Sequence, residues 1–233
     1  MSITDTVPAR VEAVYSHCAD TRSLTFRLEK KMVFSAGQFI MVNIPYKNTV
    51  VRRAYSIAST PSSTTMEICL NAVPGGLASS YLFGLSVGAS VVVDGPWGVF
   101  TLKKNDKDKW FIATGTGVAP LRSMIHDLLE HGFSGRVYLV FGERTEADLL
   151  YRSEFEELSQ KHSNFVYIPT LSRAGLEWDG EEGHVQKAIQ KYLKEPTKIE
   201  VYICGLKGMV DDVKQLLVSL NVSEKDIFTE RFV

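Results

Sequence analysis

The feature that most limits how this chain can fold is a change of rhythm close to residue 103. Before it come short runs rich in Val, Ile, Phe and Thr, bounded by turn residues, at 10–17, 21–28, 37–44, 51–57, 65–72 and 90–94. In the fifth run Met66, Ile68 and Leu70 fall on one face at period two, as a half-buried strand requires. Six such runs at short intervals predict a small antiparallel six-stranded β-barrel, interrupted by one helix at 77–85. After the change, strand patterns at 110–113, 136–141, 165–171 and 199–204 alternate with helical patterns. The first helix shows apolar Leu121, Met124, Ile125, Leu128 and Leu129 at i, i+3, i+4, i+7 and i+8, with Pro120 in its first turn and Gly132 at its end. Further helices are expected at 153–161, 184–193 and 210–220. Strand alternating with helix predicts an α/β domain with a parallel sheet covered on both faces. The polar run 103–109 reads as the boundary, giving domains at 1–104 and 108–233.

Bulk properties narrow the function classes. A net charge of −1 gives no electrostatic reason to expect nucleic acid or an anionic membrane as partner. Three scattered cysteines, Cys18, Cys69 and Cys204, argue against a disulfide framework and against a cysteine-ligated iron–sulfur cluster in these residues. No apolar stretch has the length of a membrane span and the first ten residues carry no signal-peptide pattern, so a cytoplasmic location is the expectation.

Two glycine turns carry the chemistry. Gly115-Thr116-Gly117 joins a strand to a helix, where backbone N–H groups and the helix dipole favour a phosphate. The alternative is a tight turn that needs glycine for conformation only. In the first half, Arg53 offers a bidentate phosphate contact, Tyr55 a ring and phenol for a flat ligand, and Ser56 a hydroxyl for a heteroatom. Strand alternation with an exposed arginine would look the same. Gly75-Gly76-Leu77 then leads into a helix with Ser79 in its first turn, a second phosphate-type turn. Glu143, after the second strand of the α/β half, could accept a ribose hydroxyl or lie on the surface. Ser172-Arg173, after the third strand, could bind a ribose or a 2′-phosphate, or be a loop arginine in a surface ion pair.

Taken in order, Arg53-x-Tyr55-Ser56, Gly76-x-x-Ser79, Gly95-Pro96-x-Gly98-x-Phe100, Gly115-Thr116-Gly117-x-Ala119-Pro120, Cys204-Gly205-x-x-x-Met209 and Glu230-Arg231-Phe232 resemble the ferredoxin–NAD(P)+ reductase superfamily over nearly the whole chain. The resemblance implies an FAD-binding barrel followed by a nicotinamide-dinucleotide domain. By it, Arg53 would pair with FAD phosphate, Tyr55 would pack on the flavin, Ser56 would bond near flavin N5, and Gly76 and Ser79 would hold the diphosphate. Ala54, Asn71, Gly75 and Leu77 complete the expected FAD contacts. Gly115, Thr116 and Gly117 would cradle the coenzyme's pyrophosphate, and Cys204, with Gly205 and Met209, would lie beside the nicotinamide. The alternative readings are Cys204 as a small buried hydrophobe and Met209 as helix core. Phe232 stands where plant-type members end in tyrosine, with Val233 added; it would shield the flavin or pack between domains. Ser56, Cys204 and Glu230 are the expected catalytic set, Glu230 as a proton relay or a charge near the flavin.

The expected function is a stand-alone oxidoreductase passing electrons from NAD(P)H through FAD to a separate ferredoxin, flavodoxin or oxygenase component. The alternatives are an NAD(P)H:flavin oxidoreductase, an electron-transfer subunit active only inside a larger redox complex, and a nucleotide-binding scaffold without redox function. NADH is favoured slightly, because Glu177 and Asp179 follow Arg173 and no second cation accompanies them.

Overall fold

A computed structural model describes residues 6–232. The chain forms two compact units. One runs up to Leu102 and takes in Arg122–Asp127; the other comprises Lys103–Leu121 and the residues from Leu128 onward.

The first unit is built from β1 (Val7–Cys18), β2 (Thr21–Leu28), β3 (Phe39–Tyr46), β4 (Thr49–Ser56), β5 (Met66–Asn71), α1 (Leu77–Phe83) and β6 (Ser90–Trp97). All its ladders are antiparallel, in the order β4-β3-β6-β1-β2-β5. One bridge, Ile57 opposite Ile68, joins the two ends of that order. Alternate residues point inward, so Val7, Val11, Leu24, Phe26, Ile40, Val42, Ile44 and Ile68 make the core, with Leu82 of α1 against it. Among these runs, 21–28 has the bounds its pattern predicts; β1 and β6 extend beyond theirs.

The second unit contains β7 (Asp108–Thr114), α2 (Val118–Glu130), β8 (Val137–Glu143), α3 (Arg152–Lys161), β9 (Phe165–Leu171), β10 (Glu181–Glu182), α4 (Val185–Tyr192), β11 (Ile199–Leu206), α5 (Lys207–Ser219) and β12 (Ile227–Phe232). Its sheet is parallel, in the order β10-β9-β8-β7-β11-β12. The winding starts at β7, proceeds to β8 and β9, then returns to the other side of β7 with β11. Strands β7 and β11 therefore flank the topological switch, where open α/β sheets bind ligands beyond their carboxyl ends. Both strands are apolar throughout their middles, as double-sided burial demands.

The C-terminal residues form a strand: Glu230 lies opposite Cys204 and Phe232 opposite Leu206. The polar run 103–109 is not wholly solvated. Its last two residues begin β7, and Lys109 is fully buried, with its Nζ 3.0 Å from Glu200 Oε2 and 2.6 Å from Asn105 Oδ1. Asn105 in turn donates to Glu200 Oε1 at 2.6 Å, and the Tyr202 hydroxyl donates to Glu200 Oε2 at 2.9 Å. A buried lysine is tolerable because every charge in the group has a bonded partner.

Candidate cofactor sites

In the first unit the expected flavin residues gather along the seam between β4 and β5. The Ile57–Ile68 bridge is antiparallel, and continuing its register sets Tyr55 toward Leu70 and Arg53 toward Ala72. Beyond Ala72 comes the turn through Gly75 and Gly76 into α1. Among the described residues, Ile57–Ile68 is the one bridge between these two segments. Arg53 and Ala54 are exposed, Tyr55 is half-buried and Ser56 is buried.

The two neighbouring arginines have different fates. Arg52 pairs with the buried Asp94, which also accepts from Trp97 Nε1 at 2.9 Å. The Arg53 guanidinium donates only to the Arg52 carbonyl, at 3.0 Å, and faces no carboxylate among the described residues. The guanidinium is therefore open to an anion. Tyr55 packs on the barrel core. Burial pushes its phenol up to about 12, while the nearby Arg53 charge pulls the other way. The phenol stays neutral at physiological pH.

Gly76 caps α1, and a Cβ there would lie 2.8 Å from Ser79 Oγ and 3.0 Å from the Val73 carbonyl oxygen. Ser79 Oγ accepts the Val73 N–H at 3.0 Å and is 3.1 Å from the Gly76 carbonyl oxygen. The serine thus closes the turn from inside. The first-turn N–H groups of Leu77, Ala78 and Ser79, which a helix leaves without intrahelical partners, are the groups the turn presents. Asn71 is exposed at the end of β5, its Oδ1 accepting from Thr21 Oγ1 at 2.9 Å.

In the second unit the glycine turn sits at the switch. Gly115–Gly117 is one turn of 3₁₀ helix running straight into α2. Gly115 has φ +56° with open space where a Cβ would be, so its glycine is conformational. Gly117 is different: a Cβ would lie 2.6 Å from the Cys204 carbonyl carbon and 2.7 Å from Gly205 N. The turn packs directly on the end of β11. On that strand end a Cβ on Gly205 would lie 2.6 Å from Thr114 Oγ1 and 2.7 Å from Met209 Cε. The Thr114 hydroxyl is buried and has no partner among the described residues. An orphaned hydroxyl beside a glycine at the carboxyl ends of β7 and β11 suits a polar ligand approaching the backbone there.

Cys204 is fully buried. Burial, aided by the charge of Glu230 on the neighbouring strand, pushes its thiol well above the ordinary value, so it stays protonated. Met209, in the first turn of α5, packs on the core of this unit as well as flanking Gly205. Phe232 is half-buried at the end of β12.

Two residues take roles that the sequence left open or missed. Glu143, weighed as a ribose acceptor or a surface group, turns inward: its Oε1 accepts the Gly115 N–H at 2.9 Å. Burial pushes its carboxyl up to about 7, against the pull of that hydrogen bond. Ser172 and Arg173 extend the pairing past the ends of β8 and β9, Ser172 N–H to the Glu143 carbonyl at 2.9 Å and Arg173 N–H to the Arg144 carbonyl at 2.8 Å. Arg144 and Arg173 are both exposed, and the backbone hydrogen bond sets their main chains side by side. The signal for it was positional: Arg144 follows β8 directly, and Arg173 follows β9 after Ser172.

A model described as an oxidoreductase FAD-binding domain matches residues 8–102, and one described as an oxidoreductase NAD-binding domain matches residues 111–215. "Ferredoxin--NADP reductase B" of Sorangium cellulosum is 37% identical, over 96% of this chain and 96% of its own length. The chain belongs to the ferredoxin–NAD(P)+ reductase superfamily. As a member it is a flavoprotein oxidoreductase that uses FAD and NAD(P)H. The "Phenol hydroxylase P5 protein" of Acinetobacter pittii is 36% identical over 91% of this chain, and the chain spans 61% of that relative. Among solved structures, the Amycolatopsis cytochrome P450 reductase GcoB superposes with a TM-score of 0.91 at 29% identity, over 98% of this chain and 70% of that one. A ferredoxin NADP+ reductase from Neisseria gonorrhoeae with bound FAD and NADP has a TM-score of 0.87 at 21% identity, over 97% and 98%, and shares the fold. The residues present fit both cofactors: an anion-ready arginine and a helix-capping turn in one unit, and a glycine cradle with an orphaned hydroxyl in the other.

Proposed function

We propose that the chain takes electrons from NADPH and delivers them through FAD to a separate acceptor protein, a ferredoxin, flavodoxin or oxygenase component. The observation that carries the reading is the placement of Gly115–Gly117 and Cys204-Gly205 on the two strands flanking the sheet's switch point. That is where a dinucleotide meets an α/β sheet. In this reading Arg53 and the Gly76 turn hold the FAD phosphates, and Tyr55 gives the flavin an apolar wall. Bound FAD supplies the conversion of a two-electron donor into single electrons. The protonated Cys204 offers a small neutral wall to the coenzyme ring, and Glu230 sets the local charge. The names of the relatives, reductase components among them, support a protein acceptor.

The choice of NADPH over NADH rests on Arg144 beside Arg173, a cation pair at the ends of β8 and β9 suited to a 2′-phosphate. Glu177 and Asp179, which follow Arg173, favour NADH instead, and the two coenzymes' rates decide between them. Two measurements test the function. FAD should stay bound through gel filtration, and flavin lost on dilution would favour a reductase of free flavin. The ratio of kcat/KM for NADPH over NADH should exceed one and fall in both Arg144→Ala and Arg173→Ala; a ratio below one would return the choice to NADH.

A further inference from the structure

Glu143 has no part in the function as described so far, yet it occupies the key donor of the coenzyme turn. In a phosphate-binding turn at a helix start, the N–H groups without intrahelical partners are directed at the ligand, and that of Gly115 is among them. Here the Gly115 N–H is already engaged, by a carboxylate 2.9 Å away on the neighbouring strand. The glycine's φ of +56° turns the N–H into that position, and the packing of Gly117 on the end of β11 fixes the rest of the turn. The carboxylate is an anion held where an anion belongs.

We propose that Glu143 is a resident anion in the coenzyme cradle, holding the Gly115 N–H until the coenzyme's diphosphate takes its place and Glu143 gains a proton from solvent. The proposal rests on the reading of Gly115–Gly117 as the pyrophosphate cradle. It follows from charge: a diphosphate and a carboxylate within hydrogen-bond reach of the same N–H repel, and the site relieves this by neutralising the group that is harder to keep ionised. That group is Glu143, because burial has already pushed its carboxyl up to about 7. Its surroundings are mixed. Asp148, on the turn after β8, raises it further, while Arg144 and the Gly115 and Arg144 N–H groups lower it. From β9, Tyr167 faces it as a buried neutral phenol, itself between Arg152 and Glu156 of α3. The nearby cation does not cancel the burial.

The consequence is reciprocal: the coenzyme binds the protonated form better, and binding draws in up to one proton. The competent fraction falls as pH rises through the midpoint, so affinity for nucleotide should weaken by about tenfold between pH 6 and pH 8.

The test is calorimetric binding of NADP+ to the FAD-loaded full chain at pH 6, 7 and 8, in buffers of different ionisation enthalpy, which reports protons taken up independently of turnover. Wild type should show the tenfold weakening and a proton uptake that rises from pH 6 to pH 8, toward one proton. Glu143→Gln retains an oxygen for the Gly115 N–H but not the charge; its affinity should vary less and its uptake should fall. The 2′-phosphate's own titration is common to both proteins and cancels in the difference. Asp148→Asn, which leaves Glu143 in place, should move the wild-type midpoint to lower pH. Equal proton uptake and equal pH profiles in wild type and Glu143→Gln overturn the inference. If Gly117→Ala leaves NADP+ affinity unchanged, the cradle reading itself fails; an intact cradle without proton linkage sinks the inference alone.

Discussion

Replacing Gly117 by alanine tests the most constrained point of the α/β unit. The added Cβ would lie 2.6 Å from the Cys204 carbonyl carbon and 2.7 Å from Gly205 N, both of them backbone atoms. The Cys204 carbonyl oxygen would lie closer still, and ordinary contact begins near 3.4 Å, so the turn or the end of β11 must retreat by about 1 Å. Backbone cannot swing aside as a long side chain does. Overpacking of this kind costs about 1–3 kcal/mol, which lowers the melting temperature by roughly 4–11 °C in a unit of this size. The functional loss should be larger, because displacing a positioned ligand by about 1 Å can reduce the rate by about 100-fold. Steady-state kcat/KM for NADPH and a thermal melt give both numbers, with flavin absorbance confirming that FAD stays bound. Gly115→Ala is the contrast: no atom lies within 4 Å of its Cβ, and only the φ of +56° opposes it, at about 1–2 kcal/mol. Gly117→Ala with a wild-type melt and wild-type kcat/KM would refute the close packing of turn on strand.

Three other outcomes follow from the same structure. Lys109→Met should destabilise the protein by about 3–5 kcal/mol in denaturant unfolding, since it leaves Glu200 buried without its cation; the Lys109→Met, Glu200→Gln double variant should recover part of that loss. Arg53→Ala should weaken FAD retention by roughly 10- to 100-fold, the worth of about 1.5–3 kcal/mol for a hydrogen bond to a charged group, while NADP+ affinity stays unchanged in calorimetry. Glu143 should also mark the pH dependence of folding. Its carboxyl is higher in the fold, about 7, than its ordinary 4.5, so the folded state binds more protons between those values and stability falls as pH rises through that window. The contribution is about 3 kcal/mol at most, seen as the difference between wild type and Glu143→Gln in chemical unfolding at pH 5 and pH 8.

Most of the architecture was legible because its signals are local. Period-two alternation at Met66, Ile68 and Leu70 marks a strand whatever surrounds it, and the apolar face from Leu121 to Leu129 marks a helix. The residues that escaped depend on partners distant in sequence. Lys109 is the last residue of the polar boundary run, and its burial depends on Glu200, 91 residues on. Ile227–Phe232 carries charges at Glu230 and Arg231, and its strand character comes from the open edge of β11 rather than from its own pattern. The glycine motifs showed where anions belong, but not that Gly117 is a packing glycine and Gly115 a conformational one. Nor could sequence show that Glu143 turns to Gly115 across 28 residues, or that Arg144 and Arg173 become neighbours.

The central claim, one chain holding a flavin reducible by a nicotinamide coenzyme, is tested most directly by anaerobic titration of the purified, FAD-loaded protein with NADPH, followed in the visible spectrum. The account predicts a bound-flavin band near 450 nm that bleaches with about one equivalent of NADPH, as two-electron transfer to one flavin requires. A protein that holds no flavin after incubation with FAD, or whose flavin band is untouched by both NADPH and NADH, would contradict it.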